Sequence, residues 1–161
     1  MRVNEFVKKN LSNLLILILV FFLDRTSKYL IVEYFDQSIN QSLFITSFLN
    51  FNLLWNDGIA FGLLQFDQKS SYNFITLVIF IVLIVVIKLA VGSKGLEKLC
   101  YLMILGGGLG NIFDRIYYGS VIDFIDFHYK NFHWFIFNVA DMFITVGILI
   151  LIVSEFLKKN D

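Results

Sequence analysis

Asp123 and Asp141 are the residues of this 161-residue sequence whose types and settings point to chemistry. Asp123 lies in Val121-Ile122-Asp123-Phe124-Ile125, too apolar a run for an ordinary solvated loop acid. Asp141 closes Phe137-Asn138-Val139-Ala140-Asp141, which opens the last apolar segment. Two carboxyls brought together cannot both ionise easily. They share a proton, so one can act as base on a water while the other, protonated, polarises a carbonyl. That is aspartic-protease chemistry. A third polar group, Asn111, Asp114 and Arg115, is spaced i, i+3, i+4 and shares one helical face. An Arg–Asp clamp closing a helix end explains Asp114 and Arg115 as readily as a place in a site does. Such residues at the ends of membrane helices are expensive to keep, which marks them as functional candidates.

Other chemistries fit less well. His128 and His133 lack metalloprotease spacing and read as ordinary histidines of an aromatic stretch. Ser120 has no base at a recognisable spacing, and Ser27 and Lys28 are adjacent rather than arranged as a dyad. The single Cys100 excludes an internal disulfide and a Cys-rich metal site. Gly106-x-x-x-Gly110 follows no strand and reads as close helix packing rather than a phosphate loop. The expected site therefore uses no metal and no cofactor. Zero net charge argues against a nucleic-acid partner, which demands a basic surplus.

The elements that must position the acids are membrane helices. The chain is 58% apolar, with 19 Phe and a mean hydropathy of +0.75, more apolar surface than a soluble domain of this size can bury. Spans are expected at about 11–34, 72–91, 96–114 and 135–157, near the ~20 residues a bilayer requires. The first contains Asp24 and Lys28, four apart and able to pair. The expected fold is an all-α membrane protein, one domain over residues 1–161, with four transmembrane helices. A small strand-bearing element falls within 35–70, and 115–134 is an interfacial loop carrying Trp134. Arg2, Lys8, Lys9, Lys88, Lys94, Lys98, Lys158 and Lys159 fall on one side of this arrangement, against Arg25, Lys28, Lys69, Arg115 and Lys130 on the other. The positive-inside rule then places both termini in the cytoplasm and every polar patch near the outer face. A small transporter using Asp114, Asp123 and Asp141 as a cation path is the competing reading. It requires polar residues in both halves of the membrane, and the inner halves of the spans are almost wholly apolar.

Four blocks resemble the bacterial lipoprotein signal peptidases (signal peptidase II), intramembrane aspartic proteases. They are Asp24-Arg25-Thr26-Ser27-Lys28, Asn56-Asp57-Gly58-Ile59-Ala60-Phe61-Gly62, Gly110-Asn111-x-x-Asp114-Arg115 with Gly119-x-Val121-x-Asp123-Phe124, and Phe137-Asn138-x-Ala140-Asp141. Arg25 departs from the Gln common in the family. The resemblance implies a catalytic dyad of Asp123 and Asp141, with Asn111, Arg115 and Asn138 orienting it and holding the substrate backbone. It also implies that Asp24, Lys28 and Asn56 line the pocket beside Asp114, and that Gly58 to Gly62 shape an outer cradle. The implied substrates are diacylglyceryl-modified prolipoproteins, cut N-terminal to the lipid-bearing Cys, and the implied inhibitors are of the globomycin type. The implied setting is the bacterial cytoplasmic (inner) membrane, where a multi-pass monomer surrounded by lipid works near the outer leaflet. Asp126 lies outside these blocks, so Asp126→Asn is expected to be nearly silent.

Overall fold

The computed structural model describes residues 3–39, 42–58, 69–130 and 132–158. Its elements in chain order are α1 (Val3–Asp36), β1 (Leu43–Thr46), β2 (Leu49–Asn56), α2 (Lys69–Gly92), α3 (Gly95–Tyr117), β3 (Val121–Tyr129), β4 (Phe132–Phe137) and α4 (Val139–Lys158). The protein is mostly helical. The four strands form one antiparallel sheet in the order β1-β2-β3-β4.

α3 is the hub, packing against each of the other three helices. Its glycines make that possible. Successive helical residues point about 100° apart, and the three consecutive glycines each meet a different neighbour. A Cβ on Gly106 would lie 2.8 Å from Val20 of α1, one on Gly107 2.6 Å from the Ala140 carbonyl oxygen of α4, and one on Gly108 2.6 Å from Leu83 of α2. Gly110, one turn beyond Gly106, faces α1 again, where a Cβ would collide with the Asp24 carboxylate. The expected close packing at Gly106-x-x-x-Gly110 is thus observed. Gly110→Ala is expected to push α1 from α3 and to lower the melting temperature and cleavage rate together. Gly92→Ala, with open space around its Cβ, is the control for both readouts.

Among the described residues, two helical stretches are long and apolar enough by themselves to cross a membrane: Tyr72–Gly92, with mean hydropathy 3.2, and Val139–Lys158, with 2.1. α1 and α3 are interrupted by the polar residues that the sequence singled out. Most large apolar side chains of α2 and α4 face outward, among them Leu77, Phe80, Ile84, Leu149 and Phe156. In water this would be a large aggregation liability; in lipid it is the ordinary condition of a spanning helix.

Two expectations are corrected. Residues 115–134 are not a loop: α3 runs on to Tyr117, and most of the remainder belongs to the β3–β4 hairpin. Residues 121–126 are all buried, so β3 lacks the apolar–polar alternation by which a half-exposed strand is recognised. Second, the last helix starts at Val139 rather than Phe135, because 132–137 pairs with β3. Asp141 therefore lies in the first turn of α4, not deep within a helix. The strands expected within 35–70 are present as β1 and β2.

Short connections bring the acids to one end of the bundle. α3 ends with the Tyr118 N–H donating to the Asp114 carbonyl at 2.8 Å. Gly119, at φ 77°, then turns the chain straight into β3, a conformation that glycine adopts without a Cβ penalty. β4 leads into α4 through Asn138 alone. Below the sheet, Phe124 and Ile125 of β3 pack on Ile31 of α1, with Phe35, Phe51 and Phe137 around them.

Candidate active site

Asn138 joins the two acids. It is the residue before α4, and its side-chain oxygen accepts the Asp141 backbone N–H at 3.0 Å, while Asp141 Oδ2 accepts the Asn138 backbone N–H at 3.2 Å. This reciprocal pair has the form of a capping box: it satisfies two orphan donors and fixes the Asp141 rotamer. The same Asn138 donates from Nδ2 to Asp123 Oδ1 at 2.6 Å and to Asn111 Oδ1 at 3.1 Å. One side chain at the β4–α4 junction thereby reaches β3, α3 and the first turn of α4.

The other oxygens of the acids are also occupied. Asn56, the last residue of β2, donates from Nδ2 to Asp123 Oδ2 at 2.8 Å. Its own oxygen accepts the Gly58 N–H at 2.9 Å, an Asx turn that fixes which end of the amide faces Asp123. Asn111 donates from Nδ2 to Asp141 Oδ1 at 2.9 Å. Both acids are therefore held by amides and backbone rather than by cations.

Asp123 is 2% exposed. Burial first, and the neighbouring Asp141 charge second, push its carboxyl up to about 7, against the lowering effect of Asn56, Asn138 and Lys28. A carboxyl poised there can give or take a proton near neutrality.

Under the acids lies a layer of buried charge. Lys28 and Asp24 are one helical turn apart on α1, with Nζ 2.9 Å from Asp24 Oδ2, as the spacing predicts. Lys28 also reaches Asp114 Oδ2 at 2.7 Å and Asn111 Oδ1 at 2.9 Å. Arg25 Nη1 lies 2.6 Å from Asp114 Oδ1, and Nη2 3.4 Å from Asp24 Oδ2. Two carboxylates thus face two cations. Asp24 Oδ1 accepts the Ala140 N–H at 3.0 Å, and Asp114 Oδ2 the Ile122 N–H at 3.3 Å. The layer therefore grips α4 one residue before Asp141 and β3 one residue before Asp123.

The structure brings Asp24, Lys28, Asn56, Asn111, Asp114, Asn138 and the two acids into these two layers, with Gly58 and Arg115 beside them. Asp114 and Arg115 do not clamp each other. Asp114 turns to α1, whereas Arg115 Nη2 donates to the Gly58 carbonyl at 2.8 Å with its guanidinium 4.9 Å from the Tyr72 ring centre. Arg115 Nε and Nη1 are buried and have no acceptor among the described residues. Of the expected cradle, Gly58 is described, and Ile59 to Gly62 lie outside the described residues. Sequence reasoning missed Tyr72, which carries no signal at the start of a span, and gave Arg25 only as a departure from the family's Gln, whereas it closes the buried charge layer. Asp126 is also more than a surface acid: it is 1% exposed and accepts Asn52 Nδ2 at 2.7 Å. A silent Asp126→Asn is no longer expected.

A cleft of about 240 Å³ lies beside Asp141, lined by Phe135, Phe137, Met142, Thr145 and Val146. Among the described residues, Asp141 is its one acid.

Comparison with known proteins gives one answer. The sequence model of the family Signal peptidase (SPase) II matches residues 16–157. A lipoprotein signal peptidase of Pelagibacter ubique is 43% identical over 148 residues, 92% of this chain and 89% of that protein. One from Francisella tularensis subsp. mediasiatica is 42% identical over 159 residues, covering 96% and 97%. Two solved structures, each described as a bacterial membrane enzyme studied by the in meso method, superpose with TM-scores of 0.77 and 0.74. They share 28% and 29% identity with this chain, covering 93% and 89% of it and 90% and 91% of themselves.

Proposed function

The chain belongs to the signal peptidase II family, and we propose that Asp123 and Asp141 are the dyad with which it removes the signal peptide from diacylglyceryl-modified prolipoproteins. The observation that carries this reading is Asn138, which holds one oxygen of each acid.

The chemistry follows from the shared proton. The ionised acid takes a proton from water as its oxygen attacks the carbonyl carbon before the lipid-bearing Cys. The protonated acid gives its proton to the carbonyl oxygen, leaving a neutral tetrahedral diol. On collapse the amide nitrogen receives a proton from the dyad, the C–N bond breaks, and the signal peptide leaves with a new carboxyl group. The lipoprotein keeps a free amine on its Cys. Asn111, Asn56 and Asn138 hold the acids through this cycle, and the Arg115 N–H groups that have no acceptor among the described residues suit carbonyls of an extended substrate backbone. A globomycin-type peptide would compete for the same donors.

We place the protein in the bacterial inner membrane as a four-span monomer with both termini cytoplasmic. Burial supports that orientation. Of the basic residues assigned to the outer side, Lys28 and Arg115 are buried and Arg25 is nearly so, so they contribute little to an outward-facing charge. Exposed Phe48, Tyr129, Phe132 and Trp134 suit the headgroup zone. A substrate anchored by lipid and by its own signal helix would reach Asp141 laterally through the apolar cleft. Confinement to the bilayer raises its effective concentration.

The test is a mobility-shift assay with purified protein in detergent, using a diacylglyceryl-prolipoprotein and its unlipidated precursor. Cleavage of the lipidated form at the residue before Cys, read by mass, is expected; no cleavage by well-folded protein overturns the reading. The rate should also fall as pH rises through about 7, where Asp123 loses its proton. Stability follows the same sign: a carboxyl raised on folding contributes stability that is fully present below about pH 4 and is lost progressively as pH rises to about 7. The melting temperature of wild type should therefore drop between pH 5 and 7 by more than that of Asp123→Asn. Equal drops would remove Asp123 as the titrating group.

A further inference from the structure

Away from the dyad, the β3–β4 hairpin gathers the two histidines of the chain. His128 and His133 are direct cross-strand partners, their rings stacked with centres 5.1 Å apart. His133 Nδ1 lies 2.9 Å from Asp126 Oδ2 and 3.1 Å from Oδ1. One donor atom from each of Asp126, His128 and His133 lies within 4.8 Å of the other two.

The surroundings ask for a positive charge. Asp126 is a buried carboxylate whose protein donors are Asn52 and, depending on its tautomer, His133. His128 Nδ1 is buried with no hydrogen-bond partner among the described residues. The side-chain oxygens of Asn50, the cross-strand partner of Asp126, and of Asn52 are buried and unpartnered in the same way. Two buried amide oxygens on this patch lack a donor among the described residues, and His128 Nδ1 joins them when its proton sits on Nε2. A buried acceptor left unmet is costly, and a cation answers several at once.

We propose that Asp126, His128 and His133 bind a divalent transition-metal ion of the zinc class, which clips β3 to β4. Two imidazoles and a carboxylate suit zinc, cobalt, nickel or copper and disfavour magnesium and calcium. Metal–ligand bonds near 2.0–2.2 Å place donors of a tetrahedral site about 3.4 Å apart. The Asp126–His133 separation is already close to that, and a turn of the His128 imidazole brings the third donor in. The His133 side chain is 54% exposed, which leaves a fourth position for water. The clip is structural: β3 carries Asp123, and β4 ends at the residue before Asn138, so fixing the hairpin fixes the strands that frame the dyad without touching it.

The test uses the full chain, free of any affinity tag and stripped with chelator, in detergent. Zn²⁺ is titrated in competition with a chromophoric chelator, and Co²⁺ is followed by its visible absorption. One equivalent per chain is expected, with a higher melting temperature and no response to Mg²⁺. His128→Gln and His133→Gln should each weaken binding by about ten-fold or more. The double variant, which leaves the chain without an imidazole, should lose it, with far-UV circular dichroism reporting that the fold is kept. Asp141→Asn should bind as wild type does. No saturable uptake, uptake that survives loss of both histidines, or uptake lost in Asp141→Asn would each overturn the site.

Discussion

Asp123→Asn and Asp141→Asn are each expected to lower cleavage of a diacylglyceryl-prolipoprotein by about 10³- to 10⁴-fold, the upper part of the range for losing a general acid or base. The loss should fall on kcat, because the dyad acts on the reacting bond whereas lipid and signal helix supply the binding. Neither variant is free of structural cost. Both oxygens of Asp123 accept from an amide, and the oxygens of Asp141 accept from Asn111 and the Asn138 backbone. Whichever way the new Asn turns, its NH₂ faces a donor, at about 1–3 kcal/mol. A loss of that size lowers the melting temperature yet leaves the chain folded. Purified variants compared below their melting temperatures therefore separate chemistry from folding. Residual activity within ten-fold of wild type in either variant would sink the dyad.

What the sequence disclosed and what it concealed have physical causes. The spans announced themselves through long apolar runs, and their polar residues through cost, so Asp24, Lys28, Asn111, Asp114 and Arg115 were legible before any coordinates. Asp123 was legible as an acid in the wrong surroundings, but its strand was not. Residues 121–126 of β3 are covered on both faces, and a run so covered has no period-two pattern to read. The boundary of α4 was lost for a related reason. Phe135-Ile136-Phe137 continues the apolar run of the helix without a break, and only pairing with β3 divides them. Asn138 marks the division in hindsight: it caps the helix, and Asp141 three residues on completes the box. The direction of Asp114 and Arg115 could not be read, because i, i+1 neighbours on a helix diverge by about 100° and their partners lie in other elements. Asp126 was misjudged because its neighbours belong to other strands: Asn52 comes from β2, far off in sequence, and His133 meets it only through the β3–β4 pairing.

Lys28→Met is expected to be the most destabilising single change, at about 3–5 kcal/mol, the range for removing one partner of a buried ion pair. Lys28 is fully buried, and its Nζ meets Asp24, Asp114 and Asn111 within 2.9 Å. Without it Arg25 alone faces two carboxylates, and Asn111 loses the donor that holds its oxygen while its Nδ2 serves Asp141. Activity should therefore fall along with stability, through Asn111. Asp24→Asn tests whether charge balance is the cause. It keeps an acceptor for the Ala140 N–H and, combined with Lys28→Met, restores one cation to one carboxylate. The double variant should then melt well above the sum of the two single losses, with a coupling of about 1–3 kcal/mol for groups in one network. It should not regain full cleavage, because the Lys28–Asn111 contact is still missing. Additive losses would mean that Lys28 acts through packing, since its aliphatic stem is buried with its charge. Full recovery of both stability and rate would mean that the charge layer only supports the fold and has no part in holding Asp141.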